Sequence, residues 1–311
     1  MRDSLPSMRL SLFRIVVTLA AELTVGGGTG CRLRGPQKPL SVRQQIWARV
    51  AKVPGAQVSI SMRDFERGRA FEMYADTVFH AASMMKVPVL FALYDAFAKG
   101  RLRPDQTIRL TNQFRSIADG STYVLDAADD SDSTVYARVG QDVALRWLAE
   151  RMITHSSNLA TNTLITLLEP TAITALAHEL GAKNTLVLRG VEDTPAFRKG
   201  MNNLTTANDL VAMFVALQSQ RVGDSTATAE MLSILERQAF SSQIPAGLPS
   251  GTRVAHKTGS ITATRHDAGL VYPPGKQPYA IAILTRNIAD PAVADALAAD
   301  CSRIIWEWLL K

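Results

Sequence analysis

The sequence predicts an α+β fold, an α/β sandwich in which one antiparallel sheet drawn from both ends of the chain is flanked by helices and carries an all-α subdomain beside it. β-rich runs occur near both ends, the long middle reads as helices separated by polar loops, and the last stretch is an amphipathic helix. With 311 residues, 47% hydrophobic and 20% charged, the chain can bury a large core as one domain or two intimate subdomains.

Residues 1–31 read as a secretory leader: Arg2, Arg9 and Arg14 precede an apolar run, Ile15 to Ala21, and small residues lead into Cys31. The tail is similar to a lipoprotein cleavage site, although Gly28 stands where Leu is usual and Glu22 interrupts the apolar run. A lipid anchor at Cys31 is therefore open as an alternative. The expected location is the periplasm or, if lipid-anchored, the cell envelope. Residues 32–40, with Pro and Arg, form a linker, and residues 41–311 form the folded domain, with the all-α insert at about 84–250.

Within the domain, Ser41 caps a helix from Val42 to Val50 that Pro54-Gly55 stops. Val58 to Met62 alternates as a strand, Arg63 to Gly68 turns, and Ala70 to Tyr74 returns to complete a hairpin. Ser83 to Lys99 reads as a mostly apolar helix ending at Gly100, with Pro88 in its first turns, where a missing amide proton costs little. Helices are also expected at Val143 to Ile153, Leu159 to Leu168, Ala207 to Gln218 and Thr228 to Gln238. The acidic run Asp129 to Ser133 reads as a solvated loop tip. Strands at Arg253 to Lys257, Ala268 to Tyr272 and Tyr279 to Thr285 are followed by the closing helix, Ala292 to Leu310.

Composition excludes several function classes. No run of about 18 uncharged apolar residues follows residue 40, so no transmembrane helix is expected in the mature domain. The net charge is +6, but Lys and Arg are scattered, and no nucleic-acid patch is expected. Cys31 and Cys301 are the only cysteines, and the five histidines lack ligand spacing. No disulfide, metal site or cofactor is called for, and Cys301 reads as a core thiol. A monomer acting on a small-molecule substrate is the expectation.

The chemistry lies in three motifs: Ser83-Met84-Met85-Lys86, Ser156-Ser157-Asn158 and Lys257-Thr258-Gly259. Ser-x-x-Lys alone turns up by chance about once in a chain of this length, so it is the three in order that carry weight. A serine needs a base to take its proton, and Lys86, one helical turn on, faces the same way. Burial or a neighbouring cation such as Lys257 would lower the pKa of Lys86 enough for that role. Ser83, at or just before a helix N-terminus, has backbone N–H groups to offer an oxyanion, and the N–H of Ser260, directly after Lys-Thr-Gly on an edge strand, is the natural second donor. Ser156 can pass a proton to a leaving amine, while Asn158 can hold the substrate or a lysine. Lys257, Thr258 and Ser260 can together bind a carboxylate. Read singly, Ser83 could be only an N-cap and Lys86 a solvated helix residue.

The three motifs resemble those of the penicillin-recognising serine hydrolases, and their spacing and flanks are similar to the class A β-lactamases and related penicillin-binding proteins. The resemblance covers Ser41 to Lys311. It implies a β-lactamase/transpeptidase-like fold, Ser83 as nucleophile, Lys86 as base or relay, Ser156 as proton shuttle, and Lys257 with Thr258 at a substrate carboxylate. The activity implied is serine β-lactamase hydrolysis through a Ser83 acyl-enzyme. Alternatives are a penicillin-binding D-Ala-D-Ala carboxypeptidase or esterase with slow deacylation, and a β-lactam-sensing module.

Two departures stand out. Ser157 replaces the aspartate usual in the Ser-Asp-Asn motif, removing a carboxylate that helps order the site. The class A loop pattern Arg-x-Glu-x-x-Leu-Asn is here Arg189-Gly-Val-Glu192-Asp-Thr-Pro195-Ala196. Glu192 is the candidate base for the deacylating water, with a salt-bridged loop residue as the alternative. Arg265 adds to carboxylate binding or forms a surface salt bridge. His256 reads as a strand residue near the site.

Overall fold

The computed structural model describes residues 40–311. The leader, Cys31 and the linker up to residue 39 lie outside the described residues. Ser41 caps α1 (Val42–Val50) in a capping box with Gln44. The hairpin follows as β1 (Gln57–Asp64) and β2 (Ala70–Met73). After β3 (Phe79–His80), a 3₁₀ turn at Ala82–Met85 leads into α2 (Lys86–Ala98).

The middle of the chain runs through β4 (Thr107–Arg109), β5 (Phe114–Arg115), β6 (Thr122–Tyr123), β7 (Asp142–Ala144), α3 (Leu145–Thr154) and α4 (Asn158–Leu168). It continues as α5 (Pro170–Glu179), α6 (Thr194–Arg198), β8 (Leu204–Thr205), α7 (Ala207–Gln218) and α8 (Ser225–Glu236). The chain ends with β9 (Arg253–Ile261), β10 (Thr264–Tyr272), β11 (Tyr279–Arg286) and α9 (Pro291–Leu309).

The two ends meet in a five-stranded sheet of order β2-β1-β11-β10-β9, antiparallel throughout. Its central strand, β11, is apolar on both sides, as a sheet covered on both faces requires. Tyr279, Ile281 and Ile283 join the cluster under α1 and α9, while Ala280, Ala282 and Leu284 join the larger cluster with α2, α3, α4 and α7. One sheet therefore serves two cores, and β9 is left as an edge beside the turn that carries Ser83. Cys301 is buried in α9 and unpaired. Among the described residues no helix is long and apolar enough to cross a membrane.

Several expectations are corrected. The insert is not all-α: β3 pairs with β8, β4 with β7 and β5 with β6. Val143, expected at a helix start, lies opposite Ile108 in the β4–β7 ladder, and the helix begins at Leu145. β-branched Val suits a strand when a partner is present, and that partner is more than thirty residues away. β9 runs on to Ile261, past the end expected at Lys257, so the whole of Lys-Thr-Gly lies inside the strand. The Asp129–Ser133 run is not simply a solvated tip, because Asp130 and Asp132 are buried. Asp132 pairs with Arg151 of α3, and Asp130 faces the start of α4. An acidic run is solvated only when the fold offers it no donors, and here it does.

Candidate active site

Ser83 sits just before the long helix, inside the 3₁₀ turn, with Lys86 as the first residue of α2. Ala82, just before it, has φ of 46°, a left-handed value that a residue with a Cβ holds only under constraint. Two bonds flank this position: the Ala82 N–H donates to His80 Nδ1 at 3.0 Å, and Ala81 N donates to the carbonyl of the sequence-distant Asn203 at 2.8 Å. Ser83 then lines a cleft of about 940 Å³. The same cleft is lined by Ser156, Asn158, Glu192, Thr258, Gly259, Ser260 and Arg265.

Lys86 is wholly buried, and its ammonium group lies 2.6 Å from the Ser156 carbonyl, 3.0 Å from Ser156 Oγ and 3.0 Å from Asn158 Oδ1. Lys257, also wholly buried, reaches the same Ser156 Oγ at 3.1 Å and the Thr258 carbonyl at 2.7 Å. A hydroxyl has two lone pairs, and both are used by lysines. Burial lowers the pKa of Lys86 to about 7, with the charges of Asp130 and Glu192 holding it from falling further. Lys257 is brought well below its ordinary value by burial first and by the charge of Lys86 second, against the opposing pull of Asp267. The two amines titrate as a pair, and the site disfavours two protons on it.

Glu192 enters from the loop between α5 and α6 with φ of 62°, another strained non-glycine position. Its Oε1 accepts from Asn158 Nδ2 at 2.9 Å. Burial raises its pKa, the Asn158 bond works against that, and the nearby Asp129 and Asp130 charges add to it. Asn158 thus spans Lys86 and Glu192 with the two ends of one amide.

The loop is clamped to α4 by Asn162, whose Oδ1 accepts from Val191 N at 2.6 Å while its Nδ2 donates to the Val191 carbonyl at 3.0 Å. A Cβ at Gly190 would lie 2.8 Å from Asn162 Oδ1 and from Tyr123 Oη, so only glycine lets this clamp close. Asp193 anchors the other flank through Ser116 Oγ at 2.6 Å and Ile117 N at 3.0 Å. Neither Asn162 nor Asp193 was singled out from sequence. Asn162 lies one turn after Asn158 on the same helical face, a spacing that could have pointed to it.

Gly259 brings the edge strand against the serine turn: a Cβ there would be 3.1 Å from the backbone nitrogens of both Ser83 and Met84. Arg265 lines the cleft, but its guanidinium is tied to Asp295 of α9 at 3.0 Å. His256 does not line the cleft and instead binds the buried Asp267 at 2.8 Å. Phe197, Phe240 and Ile261 form an apolar part of the rim.

The fold and this cleft define a serine acyl-transfer protein of the penicillin-recognising type. The sequence profile of the β-lactamase enzyme family matches residues 41–309, and the chain belongs to that family. It is 25% identical over 274 residues to Beta-lactamase 3 of Bacillus cereus, covering 86% of this chain and 81% of the relative. It is 28% identical over 273 residues to Beta-lactamase AST-1 of Nocardia asteroides, covering 85% and 83%. Among solved structures, a penicillin G acyl-enzyme complex of a PBP-A mutant superposes with a TM-score of 0.74 at 26% identity, covering 86% of this chain and 96% of that one.

Proposed function

We propose that this protein is a class A-like serine β-lactamase that opens the β-lactam amide through a Ser83 acyl-enzyme. The observation that carries the reading is Ser156 Oγ held between Lys86 and Lys257 at 3.0 and 3.1 Å in the cleft that Ser83 lines. In its neutral form Lys86 takes the Ser83 proton, and Ser83 Oγ bonds to the carbonyl carbon. The amide C–N bond then breaks as Ser156 passes a proton to the departing nitrogen, replenished from the lysine pair. Lys257, Thr258 and Ser260 hold the substrate carboxylate, and bare Gly259 lets the strand approach the turn.

Glu192 as carboxylate takes a proton from water, whose oxygen attacks the ester carbon, and the proton returns to Ser83 as the ring-opened acid leaves. The relatives' names as β-lactamases and the bound penicillin G of the PBP-A complex support this substrate class. We further propose that residues 1–31 direct export, with Cys31 as a lipid anchor if the leader is of lipoprotein type, and that the domain acts as a monomer.

One observation favours a slower enzyme: Ala196, fully buried, stands where the class A loop pattern has Asn and offers the water no side-chain partner. Intact mass against time with a small excess of a simple penicillin, drug loss being followed in parallel, tests both readings. Many turnovers without a lasting adduct are expected, with Ser83→Ala giving neither turnover nor adduct and Glu192→Gln trapping the acyl-enzyme. A persistent one-to-one adduct on the unmodified protein would instead make it a penicillin-binding carboxypeptidase or esterase.

A further inference from the structure

We infer that Asp130 is a positioning residue for the Ser83 reaction: from a separate loop, its carboxylate supplies the charge that seats Ser156, Ser157 and Asn158 against Lys86. The central residue of that motif, Ser157, is neutral, and its own hydroxyl accepts only a 3.3 Å bond from Ala160 N as the cap of α4. Four donors instead converge on Asp130 Oδ2. They are Asn158 N at 2.9 Å, Leu159 N at 3.0 Å, Tyr136 Oη at 3.1 Å and Ser157 Oγ at 3.3 Å.

The other carboxylate oxygen, Oδ1, accepts from Asp132 N at 3.0 Å, and Asp132 is fastened to Arg151 on α3. The loop is thus tied to the end of the helix before the motif and to the start of the helix after it. Ser156, at φ of 61°, lies in the bend between those helices, where its strained backbone has to be held from both sides. Lys86 grips its carbonyl from one side, and Asp130 grips the next peptide units from the other. A carboxylate on free N–H groups at a helix start is also the favoured sign of charge.

The same anion reaches the chemistry through its field. The charges that face Lys86 are Asp130 and Glu192 from two loops, which favour its protonated form, and Lys257 from β9, which opposes it. Removing Asp130 therefore has two separable effects, a misplaced Ser156 and a Lys86 that loses its proton at lower pH.

This inference rests on the reading of Ser83 as nucleophile and Lys86 as its base. Ser83→Ala tests that reading by itself, because any adduct surviving in it sinks the assignment whatever Asp130 does. The test of Asp130 is the pH dependence of acylation by a chromogenic cephalosporin in Asp130→Asn, Asp130→Ala, Ser157→Asp and the double variant Asp130→Ala/Ser157→Asp, with near-ultraviolet circular dichroism reporting the fold.

Asp130→Asn keeps the shape and an acceptor. It should acylate about tenfold more slowly at its optimum, with the acid limb displaced to lower pH. Asp130→Ala should lose about a hundredfold, and adding Ser157→Asp should recover at least about tenfold, because a carboxylate at 157 enters the space that Asp130 leaves. With Asp130 in place, Ser157→Asp alone should impair acylation, since two carboxylates would then share one pocket. Wild-type acylation and an unmoved acid limb in Asp130→Asn would overturn the inference. So would a folded double variant no faster than folded Asp130→Ala. If Asp130→Ala does not fold, Asp130→Asn and Ser157→Asp decide the matter by the same criteria.

Discussion

Lys86 is a lysine deprived of water, given three oxygen acceptors and set beside a second buried lysine. Its pKa of about 7 divides its population between proton carrier and base near neutrality. In the proposed mechanism the neutral amine is the base, so acylation should rise with pH through about 7 and level off above it. Stopped-flow acylation measured across that range checks this, and a flat rate would remove Lys86 from the proton transfer. Deacylation should depend on Glu192 as carboxylate and so fall as pH drops through its raised pKa. The motif residues were legible in the sequence because the roles proposed for them, a nucleophile, its base and a carboxylate site, leave short patterns of fixed spacing. Asp130 and Asp193 were not, since their partners lie 28 and 77 positions away and no local pattern marks such a pairing. The pairing of Arg265 with Asp295, 30 positions away, was not legible either.

At the scale of elements, the site depends on an edge strand pressed against a 3₁₀ turn. Gly259 is the residue that permits this contact, with backbone rather than a flexible side chain on the other side. Gly259→Ala should therefore push β9 away by a few tenths of an ångström and slow acylation by at least about tenfold, while the fold survives. Comparing the acylation rate with Tm checks this, and a variant that acylates normally would show that the strand has room to give. The helices expected in the middle of the chain form, because their apolar periodicity matches the buried faces they present. The short ladders between them were not legible. Two or three residues carry too little alternation to be seen alone, and they become strands only because a partner strand arrives from elsewhere in the chain.

The whole molecule is organised by a sheet that joins residues near the two ends of the folded domain and separates two cores. Ile283 points into one core and Leu284 into the other, both from central β11. Ile283→Ala and Leu284→Ala should each lose about 2–5 kcal/mol and lower one common melting transition, because neither core can lose the sheet and stand. Calorimetry showing two separated transitions in either variant would mean that the cores unfold independently. By itself the sequence determined the fold class, the pairing of β-rich ends around a helical middle, and the motifs that meet in the cleft. All of these follow from local periodicity and residue chemistry. The tertiary structure alone decided that the Lys-Thr-Gly strand presses against the serine turn, that Ser156 is shared by two lysines, and that a remote aspartate accepts from the N–H groups after Ser157. Those outcomes depend on long-range contacts, whose partners are chosen by packing and by the need of every buried charge and N–H group for a partner.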